Sequence, residues 1–311
     1  MRAFLHDVRY SLRGIGARPG FSLVVIVTLA LGIGANTAIF SVADATLRRG
    51  LPYADPDRIV AVWETRARQD FAQMELSYPN FLDLRARQRS FSALAGYMPR
   101  SVTLTAARGS ERVSAAEVTG EFFDVLGVAP AQGRALGPAD EAPEAAPAVV
   151  LGHGFWQRRF GGDPAAIGQT LTINDTPTTI VGILPRTFAF APFEDAEMVV
   201  PARPTGGMRE RRNLHWLRVI GRLQPSASVD TAQAEVANAA RDLSVEHPDT
   251  NAGGGARIVP LRDEILGRVR PVLWVLLGAV GLVTRSTESR PPPASSSRKP
   301  TSVPSAPTTS R

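Results

Sequence analysis

FSLVVIVTLALGIGANTAIFSVA, residues 21–43, carries no charged side chain; Arg18 is the last charge before it and Asp44 the first after it. At about 1.5 Å per residue a helix of that length reaches roughly 35 Å, against about 30 Å of bilayer hydrocarbon. The stretch therefore reads as a transmembrane helix, over residues 21–47 with its exit. Its flank, residues 1–20, holds Arg2, Arg9, Arg13 and Arg18 against Asp7, so the positive-inside rule sets the N-terminus in the cytoplasm. Phe4, Leu5, Val8, Leu12 and Ile15 recur at helical spacing. That pattern suits an amphipathic helix on the inner membrane face, the competing reading being an unstructured basic leader. Ala43-Asp44-Ala45 fits a signal-peptidase pattern, but signal h-regions span only about 7–15 residues. A retained anchor in membrane lipid is the expectation. Ala30, Gly34 and Ala38 sit four apart, Asn36 beside them, and small residues on one face let a second helix approach closely in lipid. These four are the helix-packing candidates; glycine's general frequency in membrane helices is the alternative explanation.

Composition narrows what the rest can be. The 311 residues carry a formal charge of +6, and 44% are hydrophobic. The basic residues gather beside apolar segments without a stripe of interleaved aromatics, so no nucleic-acid partner is expected. With no cysteine, disulfides, thiolate metal sites and thiol catalysis are excluded.

From Pro52 to Glu264 the sequence is mixed. Arg58–Trp63 reads as a strand after the turn residues Asp55-Pro56-Asp57. Ser77-Tyr78-Pro79 opens a helix whose apolar face is Phe81 and Leu84, continuing to Phe91 and Leu94. Ser101–Thr105 and Arg112–Val118 alternate as strands, and Glu121–Leu126 is a short helix ended by Gly127. Gly137–Pro147 reads as an exposed acidic loop. Ala148–Leu151 is a buried strand and Gly154–Phe160 a helical turn. Thr170–Ile173 and Thr178–Leu184 flank Asn174-Asp175, a hairpin signal. Glu197–Val200, Trp216–Leu223 and Arg257–Leu261 are further strands. Asp230–Glu246 is a helix presenting Ala232, Val236, Ala239, Ala240 and Leu243 on one face. Strands and helices do not alternate strictly, so the class is α+β. Two subdomains are expected, divided near the acidic loop or with residues 137–215 as an insertion.

Chemical motifs are missing. There is no phosphate-binding loop of the GxxxxGK[ST] type, no GxSxG and no HExxH. His6, His153, His215 and His247 lie far apart, without metal-ligand spacing. Glu194, Asp195 and Glu197 cluster, but as a solvated loop rather than an acid–base pair. Gly253-Gly254-Gly255 lacks the helix a phosphate cradle needs and reads as a turn. No catalytic residue, cofactor or metal is expected, and the chain is not read as an enzyme.

Several blocks resemble one family. Ala30–Val42 (ALGIGANTAIFSV) and Leu51–Val60 (LPYADPDRIV) are similar to the first membrane helix and its exit in MacB-type ABC transporter permeases, above all the duplicated bacterial group. Leu76–Tyr97, Gly120–Arg134, Val149–Asn174, Val181–Pro185 and Trp216–Pro225 resemble successive blocks of that family's periplasmic core domain. Val259–Val283 continues the match. The resemblance implies a membrane helix, a two-subdomain mixed periplasmic domain at residues 48–267 and three further membrane helices. It also implies an inner-membrane efflux or transport role, with ATP hydrolysis by a cytoplasmic ABC ATPase and periplasmic substrates or partner proteins.

The C-terminal part departs from that pattern. Residues 268–283 begin a second membrane helix, but Pro271–Val283 gives roughly 20 Å of helix, short of a span. The tail, residues 284–311, has 19 Ser, Thr or Pro among 28 residues and is expected to be disordered. The expectation from this departure is a frameshift or truncation after Val283. Two functions follow: a permease fragment whose ATPase-contacting segment is missing, or a singly anchored periplasmic interaction module without transport activity. Secretion after signal cleavage is a third.

Overall fold

The computed structural model describes residue 20 and residues 53–66, 71–106, 109–190, 196–265 and 267. The anchor with Ala30, Gly34, Asn36 and Ala38, residues 268–283 and the tail lie outside the described residues. So does the leader, Gly20 apart. Gly20 aside, everything described falls in the compact unit spanning residues 38–270. No helix among the described residues is long and apolar enough to cross a membrane.

The domain starts with a tight turn. Asp55 adopts a left-handed conformation (φ 44°), and Pro56 opens a single 3₁₀ turn, Pro56–Arg58; proline's fixed φ suits that first position. β1 (Ile59–Arg66) follows, its first five residues buried, as in a strand covered on both faces. β2 (Phe71–Met74) pairs with its far end. The Ser77 hydroxyl then accepts from Asn80 N–H at 3.3 Å and caps α1 (Tyr78–Arg87), satisfying one of the helix's free N–H groups.

α1 ends earlier than the apolar spacing predicts. The Glu235 carboxylate accepts from Arg89 N–H at 2.6 Å and Ser90 N–H at 2.8 Å, holding the chain out of the helix. Phe91 and Leu94 therefore belong to β3 (Phe91–Ala106), although they pack in the same cluster as Phe81 and Leu84. β3 is also far longer than the expected Ser101–Thr105. Its first half carries small residues buried on both faces, so it shows no alternation. β4 (Gly109–Val118) returns alongside it in register from Tyr97↔Val118 to Ala106↔Gly109. α2 (Phe122–Leu126) ends at Gly127, φ 64°, the left-handed position that glycine takes without strain.

The elements after Gly127 are mostly as expected. After β5 (Gln132–Gly133), β6 (Ala148–Leu151) is buried throughout, and α3 (His153–Phe160) ends at Gly161. β7 (Thr170–Ile173) and β8 (Thr176–Ile183) are joined by Asn174 and Asp175 at φ 46° and 62°, the primed turn that suits twisted strands. β9 (Met198–Pro201), α4 (Gly207–Glu210) and β10 (Arg218–Leu223) follow. α5 (Val229–Glu246) buries Ala232, Val236, Ala239 and Leu243; Ala240 is half-buried. α6 (Pro248–Asn251) leads to β11 (Gly254–Pro260). Of the three glycines read as a turn, only Gly253 turns (φ 69°); the other two begin β11. Residues 261–265 are helical.

Among the described residues the strands form one mixed sheet, ordered β11-β1-β10-β3-β4-β9-β6-β8-β5. β2 extends β1, and β7 bridges β3 and β8. β4–β9 and β6–β8 are parallel. The class is α+β, as expected. Three apolar clusters hold it. The first gathers α2, Tyr53, Phe190 and Leu261; the second lies under α1 and α5; the third lies between α3 and β6–β8. β3 feeds all three, through Tyr97, Leu94 and Leu104 respectively.

Candidate functional site

The first cluster joins the two ends of the domain. Tyr53, the first described residue of the incoming segment, is 7% exposed, and its hydroxyl donates to Ala189 O at 2.6 Å. Its ring meets Phe190 at 6.3 Å. Phe190 sits edge-on to Tyr97 at 5.1 Å and to Phe122 at 5.3 Å, both at 86°. Phe122 meets Phe123 in the same way at 5.4 Å. Such pairs contribute about 0.5–1.5 kcal/mol each beyond their buried area. Leu261, at the start of the outgoing segment, is fully buried in this cluster, and Ile265 packs on its margin. Segments more than 200 residues apart in the chain thus share one core.

Arg222 of β10 pins the incoming segment from the side. Its Nε donates to Val125 O at 2.8 Å, near the end of α2, and its Nη2 to Ala54 O at 2.6 Å. A cation there suits the free carbonyls of a helix C-terminus. Burial, and after it the nearby Arg58, push the Arg222 pKa below its ordinary value. Arg58 in turn donates to Leu223 O. A Cβ on Gly127 would stand 3.2 Å from Ala54 Cβ at a left-handed φ, so that position needs glycine. Tyr53, Ala54, Asp55 and Pro56 all lie in the LPYADPDRIV block, which accounts physically for most of that motif.

A buried polar node lies on the other side of the sheet. Asn80 Nδ2 donates to Glu64 Oε1 at 2.8 Å, and Asn80 Oδ1 accepts from Arg212 at 2.7 Å and from Asn251 at 3.1 Å. Arg212 also pairs with Asp83 at 2.6 Å, and His215 Nε2 lies 3.1 Å from Glu64. The node ties β1, α1, α6 and the stretch before β10 into one unit, a structural task. Space of about 30 Å³ beside it is lined by Asn80, Asn251, Leu84 and Val236, room for about one water molecule.

The stretch 137–147 is only in part the exposed loop its composition suggests: Pro138, Ala139, Pro143, Glu144 and Ala146 are exposed, but the stretch is anchored at Asp140. It opens with a 3₁₀ turn, Pro138–Glu141, and Asp140 is 6% exposed. Asp140 accepts from Arg134 at 2.7 and 2.8 Å and from Gly137 N–H at 2.8 Å. Arg134 holds the Asp140 pKa below the usual carboxylate range. Glu141 accepts from Gly120 N–H, yet its burial pushes its pKa up. Arg203 donates to Asp140 O, Ala145 O and Ala146 O at 2.8–3.1 Å. Proline and alanine give the stretch its loop-like composition, but Arg134, six residues before Asp140, and Arg203, 63 residues after it, hold it down.

Of the residues weighed from the sequence, His153 packs edge-on to Trp156 at 5.4 Å, and His247 links α5 to α6. Glu197 pairs with Arg158. Glu194, Asp195 and His6 lie outside the described residues. Sequence reasoning does not single out Tyr53, Phe122, Phe190 or Arg222; Tyr53 lies in the LPYADPDRIV block, Phe122 in GEFFDVLG and Arg222 in Trp216–Pro225, while Phe190 lies in no matched block.

The sequence model of the MacB-like periplasmic core domain matches residues 22–239. Among solved structures, the periplasmic region of MacB from Actinobacillus actinomycetemcomitans is similar at 14% identity and a TM-score of 0.47. That likeness covers 68% of this chain and 92% of that one. The extracellular domain of the ABC-type transporter YknZ from Gram-positive bacteria gives 14% and 0.47, over 64% and 99%. A permease domain from Porphyromonas gingivalis gives 18% and 0.49, over 67% and 92%. A comparison with curated proteins gave no match.

Proposed function

The chain belongs to the family of the MacB-like periplasmic core domain of ABC-type transporter permeases, and from that premise we propose that it is the coupling domain of such a permease. The domain stands on the extracytoplasmic side of the inner membrane, with Phe21–Ala43 as anchor and residues 1–20 in the cytoplasm. A cytoplasmic ABC ATPase hydrolyses ATP, and the chain itself carries no catalytic residue, cofactor or metal. Motion of the membrane segments reaches the domain through its base and acts there on export substrates or periplasmic partner proteins.

The joint burial of Tyr53 and Leu261 in one aromatic core carries this reading. Packed interiors transmit displacement because they have little free volume. A push on either segment therefore moves the ring cluster. It also moves β3, which runs from that cluster into the other two.

The test is co-purification of the full chain in detergent with the ABC ATPase of its own cell. The expected result is a complex whose ATP hydrolysis differs from that of the ATPase alone. No complex and unchanged hydrolysis would sink the transport reading and leave an anchored interaction domain.

A further inference from the structure

The outer edge of β11 is closed by a side chain. β11 pairs with β1 on one side and, among the described residues, with no strand on the other. Gln233 of α5 reaches that free side. Its Nε2 donates to Ala256 O at 3.0 Å and its Oε1 accepts from Ile258 N–H at 2.8 Å. Backbone groups of alternate residues point to the same side of a strand. Ala256 and Ile258 therefore turn theirs away from β1, and Pro260, at the same parity, has no N–H to offer. The carboxamide of Gln233 stands where a peptide group of one more strand would stand.

The two groups it occupies are complementary to themselves. Consider a second β11 approaching antiparallel with a two-fold axis at Arg257. Residue 257 then faces its own copy as a non-hydrogen-bonded pair, and the flanking bonds run from Ile258 N–H of each strand to Ala256 O of the other. These are the donor and acceptor that Gln233 takes. Arg257 is exposed, and two like charges directly opposite also disfavour pairing. An unguarded edge strand is a template for association. We propose that the β11 edge is a latent pairing surface for a second copy of this chain, held closed by the Gln233 carboxamide with the Arg257 charge behind it.

The absence of cysteine makes a trapping experiment clean. In the full detergent-solubilised chain, Arg257→Cys places one thiol on the axis. The Cα separation of a non-hydrogen-bonded pair, about 4.5 Å, lies within disulfide range. With Gln233 present, mild oxidation should give only the collision background, read from Val245→Cys on the exposed face of α5 (82% exposed). Adding Gln233→Leu should raise covalent dimer at 257 about tenfold, the scale of one to two net hydrogen bonds, without changing Val245→Cys. Gln233→Ser, which shortens the side chain on the same helix face, should give the same rise. Gln233→Glu, which sets a carboxylate on the edge, should stay at background. In the dilute, unlinked monomer, Ile258 amide exchange should be slow in the wild type and faster in the Leu and Ser variants. Trapping at 257 that ignores Gln233→Leu, or that rises equally at 245, would overturn the proposal. So would fast Ile258 exchange with Gln233 in place.

Discussion

The cluster at the base and the cluster between α3 and β6–β8 are similar in burial and opposite in construction. The base draws Tyr53, Tyr97, Phe122, Phe190, Ile220 and Leu261 from the whole length of the domain, and its rings meet at Phe190. The other takes its residues from Val102 to Met198 and is rich in aliphatic side chains, with a hairpin turn as its closing device. The difference separates two duties. A core built from one stretch can support a lobe; only a core that holds both the incoming and the outgoing segment can couple them.

The sharpest way to break that contrast is to remove one side chain from each core. Phe190→Ala should cost about 3–5 kcal/mol in denaturant unfolding. It should also release hydrogen-exchange protection at residues 53–58 and 261–265 together. Ile180→Ala, fully buried in the other cluster, should cost about 2–5 kcal/mol and leave protection at 53–58 unchanged. If Ile180→Ala loosens the incoming segment equally, the two cores are one mechanical body and the contrast fails.

Arg222→Leu is the next step down. It leaves Ala54 O and Val125 O without their donor, and hydrogen bonds from a charged group are worth about 1.5–3 kcal/mol. The part-buried guanidinium loses some of that through desolvation, so a net loss of about 1–2 kcal/mol is expected. Exchange should quicken at residues 54–58 while the β7–β8 hairpin stays protected.

Much of the second and third clusters could be read before any coordinates. Asn174-Asp175 announces the hairpin of the third because both residues must take φ > 0, and the α5 face of the second announces itself by three-and-four spacing. The base is different. Tyr53 lies 136 residues from the carbonyl it bonds, and Phe190 sits in an irregular stretch after β8 with no period to mark it. The first half of β3 lacks alternation because both of its faces are covered. Residues 137–147 carry a solvent-like composition, and nothing local reveals that Arg203, 63 residues beyond Asp140, binds them down. Periodicity reports one element against water; it does not report which distant elements meet.

Asn174→Ala probes the legible side. It loses a residue type that tolerates φ 46° and the bond its Oδ1 accepts from Thr103 N–H at 2.8 Å. A cost of about 1 kcal/mol is expected in thermal unfolding, with base protection intact.

The smallest effect is in the pH dependence of two neighbours. Asp140 has a lowered folded-state pKa, so its contribution is present above the unfolded carboxylate value and is lost as pH falls through the lowered one. Glu141 runs the other way: its raised pKa makes its contribution full below the unfolded value and lost as pH rises through the folded one. Glu141→Gln keeps an acceptor for Gly120 N–H and removes that loss. Thermal unfolding at pH 4, 6 and 8 should show the variant level with wild type at pH 4 and ahead of it at pH 8. The reverse trend would mean that burial does not govern Glu141.

The central claim is that the incoming and outgoing segments ride on one aromatic core. With no native cysteine to interfere, spin labels at Asp57→Cys and Asp263→Cys can report the distance between the two segments in the full chain by pulsed electron–electron resonance. A narrow distribution that broadens markedly with Phe190→Ala is the predicted result. A distribution already broad with Phe190 in place, or one indifferent to its removal, would contradict the account.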